Sequence, residues 1–261
     1  MVYYSVAWAE SEDRSGAGTN LTAISDTLIN TSGDNLRLQK GFNNINMIYT
    51  VSSSATYKPV QAIISSASIA SNPLEMNKGI AKDFLNQGAY YEFFNGAYNY
   101  IESGDDVTAV YTSDDNAGNA TQGSVVMFVS DSTMYIGTPS LPITHLAKAT
   151  SSGAVSANTW TEKTLTLETA LPAGQYAFVG ADVLSDNGTL TSARFVFQDY
   201  KTRPAVVPKN DVNQYSHPIN KNIYDNGGYQ FTIPDGLPTC EVLTGASTTL
   251  SFINLYLSRL S

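Results

Sequence analysis

The stretch 171–198, LPAGQYAFVGADVLSDNGTLTSARFVFQ, limits the possible folds more than any other part of the chain. Large apolar residues stand two positions apart in two runs: Tyr176 and Phe178 in the first run, Phe195 and Phe197 in the second. This period is that of a β-strand with one buried face. Asn187-Gly188 lies between the runs, and Asn-Gly in that position is a strong hairpin signal. The stretch therefore predicts a β-hairpin.

Residues 41–66, GFNNINMIYTVSSSATYKPVQAIISS, repeat the layout of this stretch. They begin with a glycine, run through alternating apolar residues, turn in a serine-rich segment and return through a second apolar run. Farther along, residues 104–112 and 124–129 correspond in the same order to residues 235–244 and 251–257. The order of features predicts a tandem duplication of one β-domain, although two unrelated β-sandwiches would share a similar layout.

The length of 261 residues suits two domains of about 125 residues, and it also suits one large β-domain. Turn signals recur about every 8–12 residues, a spacing typical of β-sandwiches. We predict an all-β fold of two tandem jelly-roll-like β-sandwiches, each eight-stranded. The predicted divisions are an N-terminal arm and linker at 1–20, a first jelly roll at 21–131 and a second at 132–261.

A segment without strand pattern is inserted before the closing strands of each unit. In the first unit, Met76, Ile80 and Phe84 stand at helical spacing, which predicts a short helix at 74–86. In the second unit, a long loop rich in Pro, Asn and Lys at 201–228 takes the same place. Long loops within compact domains are usually functional or disordered.

The N-terminal segment is apolar and aromatic, and its notable residues are Tyr3, Tyr4 and Trp8. It predicts either an edge strand of the first unit, which we favour, or an arm that docks on a neighbouring subunit or a lipid surface. Under the second interpretation these three residues are candidate inter-subunit contacts. The segment lacks the basic start and apolar run of a secretory signal, and no stretch approaches about 18 apolar residues. We therefore expect neither a secretory signal nor a transmembrane helix.

The charge content argues against direct binding of nucleic acid. Charged residues make up 14% of the chain, against about 25% in typical soluble proteins. The net charge is −9, and no cluster of Lys or Arg interrupts the sequence. Nucleic-acid binding needs dense neutralisation of phosphates, which this chain does not supply. A surface filled by Ser, Thr, Asn, Gly and Tyr is typical of β-rich extracellular or assembly proteins.

No pattern in the sequence predicts a catalytic residue, a cofactor or a metal ligand set. The two histidines, His145 and His217, have no Cys or carboxylate at metal-ligand spacing. The single cysteine, Cys240, lies in an apolar strand and is predicted to be an unreactive core thiol. The pairs Asp105-Asp106 and Asp114-Asp115 lie in predicted turns, where Asp usually bonds its own backbone; calcium binding is the alternative. We expect a protein that is not an enzyme.

The layout of strands, hairpin, inserted segment and closing strands, all occurring twice, resembles the double jelly-roll major capsid proteins of tailless icosahedral DNA viruses. The resemblance implies a structural subunit that self-assembles as a homotrimer with pseudo-sixfold shape and forms the icosahedral shell of a virion. Other capsid proteins and an internal membrane are the further partners it implies. The departure is size, because members of that family are commonly longer. A single jelly-roll capsid subunit with an extra β-domain is therefore an alternative.

The second candidate class is a carbohydrate-binding or adhesive β-sandwich, such as a viral spike or a surface-layer component. Its support is a group of aromatic residues between 90 and 100 and the loops rich in Tyr, Asn and Gly. Aromatic side chains of this kind also commonly supply core and interface area.

Overall fold

The computed structural model describes residues 3–12, 21–25, 30–38, 40–52, 59–69, 74–77, 89–93, 101–102, 104–113, 121–130, 141–157, 159–185, 190–200, 203–206, 209–210, 229–244 and 249–261. Regular structure in these ranges consists of β-strands and one 3-10 turn at Ala67–Ile69. The predicted all-β class is confirmed. Among the same residues, no helix has the length and apolar character needed to cross a membrane.

The first half of the chain contributes strands with these bounds: β1 Tyr3–Glu12, β2 Thr22–Ala23, β3 Asn30–Ser32, β4 Asn35–Arg37, β5 Asn44–Ser52, β6 Pro59–Ser65, β7 Leu74–Asn77, β8 Ala89–Phe93, β9 Thr108–Ser113 and β10 Thr121–Ser130. They form one antiparallel sheet in the order β2-β1-β10-β5-β8 and a second in the order β7-β6-β9. A bridge between Leu36 and Val107, with N–O distances of 3.0 and 2.8 Å, places β4 next to β9. The small hairpin of β3 and β4 is thereby attached to the second sheet.

The second half contributes strands with these bounds: β11 His145–Thr150, β12 Thr161–Lys163, β13 Thr166–Leu167, β14 Gly174–Ser185, β15 Leu190–Val196, β16 Ala205–Val206, β17 Lys209–Asn210, β18 Gln230–Ile233, β19 Thr239–Thr244 and β20 Leu250–Arg259. One sheet has the order β13-β11-β20-β14, and both β17 and β18 pair with β14. The other sheet has the order β12-β19-β15-β16.

Eight strands of each half, called the principal strands, have the same order in both halves; β2 and β3 are left out of the first half, and β13 and β17 out of the second. In the first half the sheets run β1-β10-β5-β8 and β4-β9-β6-β7, and in the second half they run β11-β20-β14-β18 and β12-β19-β15-β16. When the eight principal strands of each half are numbered along the chain, both halves read 1-8-3-6 in one sheet and 2-7-4-5 in the other. The predicted echo between residues 41–66 and 171–198 therefore corresponds to equivalent strands.

The prediction of a hairpin at 171–198 is wrong. The two strands form close to where the alternation places them, but β14 pairs with β20, β18 and β17, whereas β15 pairs with β19 and β16. They belong to different sheets, and so do β5 and β6 in the first half. The alternation correctly identifies the residues that face the core between the sheets, such as Phe178 and Phe195. It does not show that Ala177 and Val179, on the other face of β14, are buried as well, and it does not identify the neighbouring strands. Both strands turn their aromatic faces to one core, which places them opposite each other rather than side by side.

Two separate clusters of buried apolar side chains follow the two halves. The first draws all its members from residues 8–129 and includes Trp8, Leu36 and Ile64. The second draws its members from residues 147–257 and is built around Phe178 and Phe195. Each cluster lies between the two sheets of its own half, as the facing surfaces of a sandwich require.

The prediction of a helix at 74–86 is wrong at its start. Residues Leu74–Asn77 form β7, which pairs antiparallel with β6 through register partners such as Ala62 and Met76. The helical spacing depended on Ile80 and Phe84, which lie outside the described residues, as do residues 78–88 in general. Within 74–77 apolar and polar residues alternate, and the open edge of β6 favours a fourth strand over a helical turn.

The N-terminal segment forms a strand of the first unit, as predicted, but β2 and not β1 ends the sheet. β1 pairs with β10 along its ten residues, from Tyr3 opposite Ser130 to Glu12 opposite Thr121. Residues 3–12 are thus part of the first sheet rather than a separate arm. The predicted boundary at 131/132 lies outside the described residues.

Candidate functional site

Trp8, one of the three predicted inter-subunit contacts, lies inside the chain's own core. It is 0% exposed, and its indole nitrogen donates a hydrogen bond of 3.1 Å to the backbone carbonyl of Asp34. Trp8 therefore offers no surface to a second subunit in the folded chain. Tyr3 and Tyr4 lie at the start of β1, and their assignment as inter-subunit contacts stays a prediction.

Asp105, Asp106 and His145, which the sequence singled out and the structure describes, have local partners. Asp105 accepts a hydrogen bond of 2.8 Å from the backbone N–H of Ser68, and Asp106 forms an ion pair of 2.6 Å with Arg37. The pKa of Asp105 lies below its ordinary value, because first the Ser68 hydroxyl and then the Ser68 backbone N–H donate hydrogen bonds to its carboxylate. His145 contacts the Thr144 hydroxyl at 2.9 Å. Asp114, Asp115 and His217 lie outside the described residues. Among the residues that the structure does describe, no group of three His, Cys, Asp or Glu could hold a metal ion.

Cys240 is buried in the second core, as predicted, and is 0% exposed. Burial raises the pKa of its thiol well above the ordinary value, and the neighbouring Glu241 raises it further. A thiol in this state reacts slowly, since the thiolate is the nucleophile.

A buried charge cluster joins β15, β19 and the segment between β15 and β16. Arg194 and Glu241 face each other across the strand pair, with 2.6 Å between Nε and Oε2. Arg203 also donates to both oxygens of Glu241, at 2.8 and 2.7 Å. The guanidinium of Arg194 lies 3.8 Å from the centroid of the Trp160 ring, a cation–π distance. The carboxylate of Glu241 thus binds the guanidinium groups of both Arg194 and Arg203, and this fixes the β15–β16 connection against the sheet.

A surface pocket of about 220 Å³ opens at one end of the second sandwich. Three segments that are distant in sequence form it: the start of β14 with Gln175, the turn after β15 at 197–200, and β18 with the turn that follows it, 230–238. Tyr200 N–H donates to the Phe197 carbonyl at 3.1 Å, and Gly236 N–H donates to the Thr232 carbonyl at 3.2 Å, which closes the two turns. Register positions 175 and 232 are paired in the sheet, so strand pairing fixes two of the three segments relative to each other.

The polar wall of the pocket is a ladder of amide and hydroxyl groups. The Gln175 side chain donates a hydrogen bond of 2.9 Å to the Gln230 side chain, and the backbone N–H of Gln230 donates to the Tyr200 hydroxyl at 3.2 Å. Asp199 and Asp235 add two exposed carboxylates at opposite turns. The wall therefore presents both donors and acceptors, arranged around a concave surface.

The apolar part of the pocket consists of aromatic rings that the core holds in place. Phe197 is buried, and its ring centroid lies 6.1 Å from those of both Tyr200 and Phe231. Phe231 is half-buried and stacks on Tyr176, with centroids 5.8 Å apart and planes at 23°. Because Tyr176 is fully buried and its hydroxyl donates to the Pro172 carbonyl at 2.9 Å, Phe231 rests on a fixed base.

No protein-family model and no curated protein matches the chain. Among solved structures, the crystal structure of the major capsid protein P2 from bacteriophage PM2 is similar at 12% sequence identity, over 99% of this chain and 98% of that chain, with a TM-score of 0.25. A similarity at this TM-score carries no argument about function.

Proposed function

We propose that the chain is a structural subunit of a viral capsid and that each copy consists of two tandem jelly rolls. The observation that carries the proposal is the shared strand order, 1-8-3-6 and 2-7-4-5 in both halves. Two four-stranded antiparallel sheets with their own core are the composition of one jelly roll, a fold that recurs in viral capsid domains. We assign residues 3–131 to the first jelly roll, since β1 belongs to its sheet, and residues 132–261 to the second.

Two similar barrels in one chain make a homotrimer with six similar lobes. Such a capsomer fills the sixfold positions of a closed shell with only three copies. Closed symmetric association needs the same complementary surfaces on every copy, which a rigid sandwich supplies. The proposed partners are copies of the same chain, other capsid proteins and an internal membrane, and the proposed location is the virion.

The charge content supports dense packing of many copies. With 14% charged residues, neighbouring subunits meet mostly neutral polar surface, so repulsion between copies is small. A net charge of −9 disfavours contact with a bare genome, because phosphates repel an acidic surface. The proposed role is therefore that of a shell without direct nucleic-acid binding.

Tyr3 and Tyr4 are the proposed inter-subunit contacts. Within the described residues, β2 covers only the part of β1 at Trp8 and Ala9, so Tyr3 and Tyr4 lie beyond this pairing. Aromatic residues near a strand edge are a common feature of association sites, because edge strands offer backbone groups for pairing and aromatic rings offer large apolar area.

Native mass spectrometry of the full chain at near-physiological salt tests the proposal. We expect a species of three times the 28.1 kDa chain mass, or larger assemblies built from it. A monomer or dimer at all concentrations, retained on a glycan column, would instead favour the adhesive or carbohydrate-binding class.

A further inference from the structure

We propose that the pocket formed by Gln175, Tyr200, Gln230, Phe231 and the turns at 197–200 and 230–238 binds a neutral sugar ring. The inference goes beyond the capsid role and does not depend on it. It rests on the size of the pocket, on the chemistry of its walls and on the way the core fixes both walls.

The size fits a single ring. The volume of about 220 Å³ lies below the range of about 300–1,000 Å³ that is usual for drug-sized ligands. An extended oligosaccharide or a large apolar molecule would leave most of its surface outside. A single hexose, with its ring substituents pointing outward, matches the concave space lined by the paired strands β14 and β18 and by the turns at 197–200 and 230–238.

The wall chemistry fits a polyol. Sugar hydroxyls both donate and accept, and the Gln175–Gln230 pair and the Tyr200 hydroxyl present both kinds of group within one wall. Carboxylates such as Asp199 and Asp235 accept charge-assisted hydrogen bonds from hydroxyls. The half-buried Phe231 ring supplies an apolar face for the C–H groups of a sugar, as aromatic side chains do at amphipathic contacts.

The charge of the lining selects against anions. Two carboxylates and, among the described lining residues, no Lys or Arg make the pocket unfavourable for sialic acid, uronic acids and phosphates. A calcium-dependent mode is also disfavoured, because the described residues bring no third acidic or histidine ligand to this place. The expected ligand is therefore a neutral hexose that binds without a metal ion.

The pocket is preorganised, which lowers the cost of binding. Phe231 is stacked on the buried Tyr176, and the amide of Gln175 is already oriented by Gln230. Only exposed side chains of the turns, such as Gln198 and Asp235, lose rotamer freedom when the ligand enters.

Saturation-transfer NMR on the full chain, with methyl glycosides of neutral hexoses and with sialic acid as probes, tests the inference. We expect saturation transfer to at least one neutral glycoside, unchanged by a chelator, and none to sialic acid. The variants Asp199→Asn and Asp235→Asn should each weaken that binding about tenfold, the lower end of the contribution of a hydrogen bond to a charged group. The matched control Glu102→Gln removes a carboxylate from an exposed position in the first half and should leave binding unchanged.

The inference is overturned if no neutral glycoside receives saturation, if binding requires calcium, or if the two pocket variants bind as the unmodified chain does. Circular dichroism of each variant confirms that the fold is retained. Trimer formation is read separately by native mass, so loss of sugar binding with intact trimers counts against the pocket alone.

Discussion

The rings of Phe178 and Phe195 lie with their centroids 5.0 Å apart, although the strands that carry them follow each other in sequence and belong to different sheets. Both side chains are fully buried in the second core. The contact therefore crosses the sandwich, and it shows that the chain passes from one sheet to the other between β14 and β15. In the first half, the chain likewise passes from one sheet to the other between the equivalent strands β5 and β6.

Truncating either ring should destabilise the protein strongly. We expect Phe178→Ala to lower the free energy of unfolding by about 3–5 kcal/mol, since it opens a cavity between the sheets. The double variant with Phe195→Ala should reveal a coupling energy of about 0.5–1.5 kcal/mol in a double-mutant cycle measured by urea unfolding. Leu146→Ala is the control, because Leu146 is 61% exposed and should change stability by about 0.5 kcal/mol or less. Additive effects of the two Phe variants would contradict the contact.

Removing the charge of Glu241 should also destabilise the second half. The variant Glu241→Gln leaves the fully buried Arg194 and the partly buried Arg203 without their shared carboxylate. Breaking a buried pair from one side costs about 3–5 kcal/mol, because a buried charge loses its compensation. Thermal and urea unfolding measure the loss. The control Glu168→Gln breaks the exposed ion pair with Lys148 and should lower the free energy of unfolding by about 1 kcal/mol or less. Equal losses of stability in the two variants would refute the stabilising role of Glu241.

The acid side of the stability curve should depend on Asp105. The hydrogen bonds from Ser68 lower its pKa from the ordinary value of 3.8. A lowered pKa in the folded state means that the stabilisation is present above the ordinary value and is lost as the pH falls through the lower folded value. Asp105→Asn should therefore flatten the decline of stability below about pH 4, as urea unfolding at a series of pH values would show. A decline of unchanged slope would contradict this assignment.

Cys240 should be unreactive until the protein unfolds. Its thiol is buried and the pKa is raised, so the folded state favours the neutral form. The raised pKa stabilises the folded state fully at pH values below the pKa of an unfolded thiol, and this stabilisation is lost as the pH rises above that value. A thiol-specific chromogenic reagent at about pH 8, below the ordinary thiol pKa, should label the urea-unfolded chain rapidly and the native chain only at the rate of unfolding. Rapid labelling of the native protein would show that the thiol is accessible.

Substitution of Tyr3 and Tyr4 should separate assembly from folding. We expect the double variant Tyr3→Ala, Tyr4→Ala to keep its circular dichroism spectrum but to lose trimers in native mass spectrometry. Deletion of the whole segment is not a suitable test, because it would remove Trp8 from the first core. The variant Thr22→Ala, at an exposed position of the neighbouring β2, is the control and should form trimers normally. Trimers in both variants would exclude Tyr3 and Tyr4 from the interface.

The sequence predicts most strands and the face that each turns to its core, since the period of two is set by local geometry; it does not predict that the other face of β14, with Ala177 and Val179, is buried too. Tyr176, Phe178 and Phe195 all lie in the core, as their alternation indicates. Strand pairing is not local: an Asn-Gly turn between alternating runs fits a hairpin, and only the demand of both aromatic faces for one core separates β14 from β15. The strands that pair with β14 and β15 come from distant parts of the chain, and nothing within residues 171–198 indicates which strands they are.

The pocket could not be predicted from the sequence. Gln175, Tyr200 and Asp235 come from three distant segments, and none of them stands in a motif with fixed spacing. They converge because β18 pairs with the start of β14 and because the turn after β15 lies at the same end of the sandwich. The one usable signal was a concentration of Gln, Asp and aromatic residues near strand ends, which is also common in ordinary turns.

The proposed capsid role is best tested by electron microscopy of the purified protein. We expect trimeric capsomers with six similar lobes, and closed particles or lattices built from them under conditions that favour assembly. Isolated particles of one or two copies under every condition, or capsomers with lobes of two unlike shapes, would contradict it.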